Sequence, residues 1–181
     1  MPRPPIAASP TRESRRSRLA ATRPEGISRS YFCLWPVARP SRAAWSQPAR
    51  WALSPVTDLA LTGESFITRA EADPYFTRSQ TAGLVRSYLG DADPRNQLAS
   101  PLYANLAGLP AIRIHVGDDE VLLDDSRRYV ERTVAAGVDA TLDVWMGTPH
   151  GFINGVGNLH AANQALRAIG TFLKERLEEA R

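Results

Sequence analysis

Between Ala111 and Leu177 the hydrophobic period switches repeatedly, and this switching constrains the fold more than any other feature. Ala111 to Val116 is a short apolar, β-branched run, which fits an interior parallel strand. Gly117 to Asp119 is expected to turn the chain at the carboxyl end of that strand. Asp124 or Asp125 can cap the next helix and favour its positive end. Val130 and Val134 then share one helix face, with Tyr129 and Thr133 adjacent. Arg127, Arg128, Glu131 and Arg132 mark the wet side, and Gly137 is the expected stop. Ala140 to Trp145 alternates as an edge strand with one solvated face should. The last helix repeats Ala162, Leu166, Ile169, Leu173 and Leu177 at helical spacing. Strand, helix, strand, helix implies a right-handed crossover unit of a doubly wound, mostly parallel α/β sheet. Ligand chemistry in such sheets sits just beyond the strand carboxyl ends, where Glu120 and His150 both fall.

Upstream, Trp51-Ala52-Leu53 reads as the end of a buried strand stopped by Ser54-Pro55. Thr57 and Asp58 begin a polar loop that runs through Gly63. Asp73-Pro74 is a helix-start signal for a helix reaching Leu89, with Gly90 as its stop. Asp91 to Asn96 is turn-rich, and Ser100-Pro101-Leu102-Tyr103 leads to Leu109-Pro110.

Residues 1–50 are unlike the rest. They hold ten arginines, no lysine, two acids (Glu13 and Glu25) and eight of the 14 prolines. Residues 51–181 hold twelve basic and seventeen acidic residues, a balance of −5, so the formal net charge of +3 averages two unlike segments. The expected domains are a disordered Arg/Pro-rich arm, residues 1–50, and an ordered part, residues 51–181. The arm could contact phosphate or acidic lipid by charge, with Tyr31, Trp35, Trp45 and Trp51 stacking on bases. It could also be a stretch translated from a non-native reading frame. Nucleic-acid binding by the folded part is not expected, because its own charge is negative. Cys33 is the only cysteine, which excludes an intramolecular disulfide, CxxC redox chemistry and cysteine-rich zinc sites. No apolar run approaches the roughly 20 residues of a membrane helix. The N-terminus has no continuous apolar core of a secretory signal, and its prolines break the amphipathic helix of a transit peptide. The expected location is cytoplasmic.

His150 stands in Gly147-Thr148-Pro149-His150-Gly151-Phe152, directly after a strand. Gly151 allows close backbone approach, Pro149 stiffens the entry, and an imidazole there can shuttle a proton at neutral pH. A surface or cap histidine is the bland alternative, and the acidic turn upstream weighs against it. The acid candidates are Asp118, Asp119, Glu120, Asp124 and Asp125, of which Asp124 and Asp125 are better explained as helix caps. A calcium site is disfavoured because the spaced D-x-[DN]-x-[DN]-G ligand pattern is missing. His115 and His160 read as structural. No metal or cofactor is expected.

From Leu53 onward the chain resembles the C-terminal part of the hormone-sensitive-lipase-like branch of the α/β hydrolases (fold-3 carboxylesterases). The resemblance rests on L-S-P-V-T-D-L at 53–59, S-P-L-Y-A-N-L-A-G-L-P at 100–110, V-G-D-D-E-V-L-L-D-D-S at 116–126, A-A-G-V at 135–138 and W-M-G-T-P-H-G-F at 145–152. The order and spacing of these motifs are specific where each alone is modest. The resemblance implies hydrolysis of carboxylic esters by a Ser–Asp/Glu–His triad. His150 matches the histidine and Glu120 the acid, with Asp119 the alternative acid. It also implies a possible homodimer through edge strand 140–145.

The nucleophile does not follow. A nucleophile elbow needs G-x-S-x-G, because its sharp turn requires small residues flanking the serine. Only Gly147/Gly151 and Gly151/Gly155 are spaced so, and they bracket Pro149 and Ile153. No Gly-Gly dipeptide exists to form an oxyanion loop, and neither Ser28 nor Ser30 has the required setting. The expectation is an incomplete α/β-hydrolase fold, preceded by the arm, with little or no ester turnover by the chain alone. A small ester would bind only if a nucleophile-bearing half complements it. The rival expectation is a non-enzymatic hydrolase scaffold whose basic arm binds a partner or nucleic acid.

Overall fold

A computed structural model describes residues 48–180. The arm expected over residues 1–50 lies outside the described residues except at its end, where Ala49 and Arg50 open the first strand. Three strands, β1 (Ala49–Leu53), β2 (Ala111–Asp119) and β3 (Ala140–Pro149), form a parallel sheet in the order β1-β2-β3. The helices are α1 (Ser65–Thr68), α2 (Arg78–Leu89), α3 (Leu123–Ala135) and α4 (His160–Glu179), with 3-10 turns at Pro101–Tyr103 and Phe152–Gly155.

Successive β-strand side chains point to opposite faces, and both faces are covered. Ile112 and Ile114 of β2 pack with Tyr129 and Val130 of α3. Trp145 of β3 and Phe152 pack with Ala162 and Ala165 of α4 on the other face. Ile112, Ile114 and Val116 are at most 1% exposed, so each contributes about 1.5–3 kcal/mol of hydrophobic stabilisation. A further cluster joins Val56, Leu59, Phe66 and Val85 to Val121 and Leu122, beyond the strand ends. No helix among the described residues is long and apolar enough to cross a membrane.

Several local expectations need correction. Asp73-Pro74 does not start a helix; it forms a turn, because the Asp73 carboxylate takes the N–H groups of Tyr75 and Phe76. The helix starts at Arg78 behind a capping box, in which Thr77 and Gln80 each accept the other's backbone N–H. It ends at Gly90, as expected. The loop from Thr57 is not a wet one, since Thr57, Asp58, Leu59 and Leu61 are buried. Asp124 and Asp125 do not cap α3, whose N-cap is Leu122. Both carboxylates turn away to the loop after β1, Asp124 to the Ser65 N–H and Asp125 to those of Thr57 and Asp58. Val134 is exposed, and the buried stripe of α3 runs through Ser126, Tyr129, Val130 and Thr133. In α4 the core face is Ala162, Ala165, Ile169 and Phe172, whereas Leu166 and Leu177 are exposed. Ala162 and Ala165 pack with Trp145 and Phe152, and Ile169 and Phe172 continue the same face. In β1 only Ala52 is buried, and Trp51 is exposed.

Candidate functional site

The site begins with a glycine. At the end of β2 the Gly117 N–H donates to Glu120 Oε1 at 2.6 Å. A Cβ at Gly117 would lie 2.1 Å from the Thr148 carbonyl oxygen, so only glycine lets the end of β3 come this close. The register then slips. Gly117 pairs with Trp145 but Asp119 with Pro149, so β3 carries extra residues against β2. Asp118 Oδ1 pins that bulge by accepting the Gly147 N–H at 2.6 Å, and Gly147 has a φ of 65°. Met146, thrown outward, is 78% exposed. Gly151 follows at a φ of 72° and reverses the chain into the 3-10 turn. The bulge lifts His150 over the end of β2.

There His150 Nδ1 lies 2.9 Å from Glu120 Oε2. Glu120 is fully buried and His150 is 6% exposed. Ser54, at the end of β1, donates its hydroxyl to Glu120 Oε1 at 2.6 Å. Three strand ends thus converge on one carboxylate. With Oε1 already filled by two donors, the hydrogen-bond pattern assigns the ring proton to Nδ1 and leaves the lone pair on Nε2. No hydrogen bond among the described residues engages Nε2. The Phe76 ring stands against the imidazole, with centroids 4.8 Å apart and planes at 89°.

The other acid candidates go elsewhere. Asp119 pairs with Pro149 along the strands and makes no bond to His150. Asp118 is an anchor for Gly147, and Asp124 serves Ser65 and Arg127. Asp125 serves Thr57, Asp58 and Arg128. These divergent partners gather no three carboxylates around one point, and no metal-holding cluster occurs among the described residues. His115 is fully buried and accepts the Trp145 indole N–H on Nδ1 at 3.1 Å. That bond uses the lone pair, so the 3.5 Å approach of Asp143 to the same nitrogen is not a charged bridge. Burial holds the His115 pKa below its ordinary value, against the pull of Asp143. His160 is the exposed first residue of α4. Neither histidine contacts the Glu120–His150 pair. Ser54 and Phe76 are the members that sequence reasoning missed. Ser54 lies inside the L-S-P-V-T-D-L motif, where its position was a usable signal; Phe76 offered none.

A parallel sheet covered on both faces, with a buried carboxylate–imidazole pair at its carboxyl edge, is the architecture of the α/β class of hydrolases. A family model described as alpha/beta hydrolase fold matches residues 38–154, and the chain belongs to that family, within its esterase- and lipase-like hydrolases. It is 34% identical over 122 residues to the acetyl-hydrolase of Streptomyces hygroscopicus, covering 67% of this chain and 41% of that protein. It is 33% identical over 121 residues to an esterase of Acinetobacter venetianus, covering 66% of this chain and 40% of that one. A crystal structure of an esterase from the bacterial hormone-sensitive lipase family superposes with a TM-score of 0.70 at 43% identity, over 71% of this chain and 43% of that one. The chain spans about two fifths of the length of these relatives.

Proposed function

We propose that Glu120 and His150 are the acid and histidine of an ester-hydrolysing Ser–Glu–His triad, with small carboxylic esters as the substrate class. The observation that carries this is the 2.9 Å contact between Glu120 Oε2 and His150 Nδ1, with the second carboxylate oxygen held by Ser54 and Gly117. In this reading His150 Nε2 takes the proton of the nucleophile and then gives it to the leaving alcohol. Glu120 fixes the Nδ1–H tautomer and stabilises the imidazolium that forms. This chemistry calls for no cofactor.

Ser54 is not the nucleophile. A triad serine bonds to the histidine, whereas the Ser54 hydroxyl bonds to the acid, on the side away from the imidazole. No G-x-S-x-G occurs in the sequence, so residues 1–181 alone are proposed to turn over esters little or not at all. A chimera tests the reading. Residues 49–180 replace the aligned segment of the S. hygroscopicus acetyl-hydrolase, and p-nitrophenyl acetate hydrolysis is followed. Activity in the chimera that drops by about 10³-fold or more in His150→Ala supports the roles assigned. A folded chimera whose turnover survives His150→Ala overturns them. We also propose that β3 residues 140–145 pair across a homodimer, supported by the absence of a second strand partner for β3 among the described residues.

A further inference from the structure

We infer that Phe76, and the Asp73 carboxylate that seats it, are positioning residues for His150. This rests on the acid–histidine reading above and extends it to a segment outside the strand ends. The geometry is a single clamp. Asp73 is 7% exposed. Its Oδ1 accepts the Tyr75 N–H at 2.8 Å and the Phe76 N–H at 3.0 Å, and its Oδ2 accepts the Val121 N–H at 2.9 Å. Val121 directly follows Glu120, so one carboxylate ties the chain that carries the Phe76 ring to the turn that carries the acid. A turn-forming aspartate needs only the first two bonds. The third, which spans 48 residues, is what fixes the aromatic ring relative to the acid.

Phe76 is seated from below by the cluster containing Val121 and Leu122 and meets the imidazole perpendicular to it. An imidazole held by one hydrogen bond can still swing about its Cβ–Cγ bond. A ring at right angles, with centroids 4.8 Å apart, restricts that swing in the plane where Glu120 does not. Glu120 sets the tautomer and Phe76 sets the tilt. The Nδ1–H bond to the buried carboxylate is thereby held on a ring that cannot tilt freely.

The test uses the full chain with ¹⁵N-labelled histidine and follows solvent exchange of the His150 Nδ1–H by NMR. The Trp145 indole N–H, bonded to His115, reports separately on native strand packing. The wild type is expected to show a protected His150 ring N–H that disappears in Glu120→Gln while the Trp145 signal stays. If it shows none, the acid–histidine reading itself fails, and the clamp with it. Phe76→Leu keeps apolar volume on the cluster but removes the ring, and exchange is expected to accelerate about three- to tenfold. Phe76→Tyr restores the ring and the slow exchange. Asp73→Asn, which keeps one acceptor oxygen and loses the other, accelerates exchange in the same direction. Unchanged exchange in Phe76→Leu overturns the positioning role and leaves the acid–histidine pair standing. Exchange in Phe76→Tyr as fast as in Phe76→Leu overturns it equally, and this comparison decides the matter if the Leu variant also loses the Trp145 signal.

Discussion

Two buried carboxylate nests follow strands β1 and β2, and they are filled by different kinds of partner. In the first, Asp58 accepts from the Ala60 and Thr62 N–H groups, the Tyr103 hydroxyl and Arg128 Nη2, the last at 3.0 Å. Asp125 accepts from the Thr57 and Asp58 N–H groups and lies 3.3 Å from the same guanidinium. These donors are backbone amides, a phenol hydroxyl and a guanidinium, none of them a general base, and the nest ties the loop after β1 to α3. In the second, Glu120 gives one oxygen to Ser54 and Gly117 and the other to a histidine. The carboxylates of both nests are fully buried, yet only the second meets an imidazole, whose Nε2 no hydrogen bond among the described residues engages. Burial of an acid therefore does not mark a site; the chemistry of its last partner does.

Gly117→Ala should break the second nest and spare the first. The added methyl would meet the Thr148 carbonyl at 2.1 Å, and backbone on both sides leaves nothing flexible to yield. The ends of β2 and β3 must part, carrying His150 away from Glu120. A loss of about 3 kcal/mol is expected by urea unfolding, at the upper end of overpacking costs. Wild-type stability in this variant would show that the strands can separate without harm, and that the close approach is incidental.

The first nest should reveal itself through pH. Burial pushes the Asp125 carboxyl up to about 7 from an ordinary 3.8, against the pull of the Thr57 and Asp58 N–H groups. The folded chain thus keeps this proton between about pH 4 and 7, where the unfolded chain releases it. Its contribution to stability is full below about pH 4 and is lost as pH rises toward 7. Asp125→Asn has no such proton, so its stability relative to wild type should climb across that window and then level off. The slope is at most about 1.4 kcal/mol per pH unit. Burial also pushes Asp58 up, but donors from Thr62, Tyr103 and Ala60 outweigh it and hold that carboxyl below its usual range. Its effect is confined to more acidic solution. The depressed pKa of His115 acts with the opposite sign below about 6.5, and it cancels in the difference because both proteins share it. A flat difference between pH 4 and 8 would contradict the assignment.

The contrast between the nests also marks what the sequence could reveal. β2, β3, α3 and α4 were legible because period and composition are local properties. His150 and the acidic turn of Asp118, Asp119 and Glu120 were legible because each sits where a parallel sheet puts its chemistry, whereas the choice of Glu120 among the three came from the family resemblance. The first nest was not. Asp124 and Asp125 satisfy every local rule for a helix cap, and their actual partners lie about sixty residues upstream. Asp73-Pro74 satisfied the rule for a helix start, although Thr77 with Gln80 was the better signal and lay within four residues. In α4, leucines and alanines both recur at helical spacing. The side that packs on the sheet carries Ala162 and Ala165 followed by Ile169 and Phe172, a choice that the helix read alone does not reveal.

The smallest expected effect lies at Ser54, where two terms oppose. Ser54 has a φ of 42°, a left-handed conformation in which any side chain is strained. Its hydroxyl also holds Glu120 Oε1 at 2.6 Å. Ser54→Ala keeps the strain and removes the bond, so it should destabilise by about 1.5 kcal/mol, the low end for a hydrogen bond to a charged group. Ser54→Gly removes the bond and relieves the strain, and about 1 kcal/mol of that loss should be recovered. Yet both variants free the same carboxylate oxygen. Unfolding should therefore separate Ala from Gly, whereas protection of the His150 Nδ1–H should fall equally in both. If protection follows stability instead, with Gly close to wild type, the serine serves the backbone turn and Gly117 alone orients the acid.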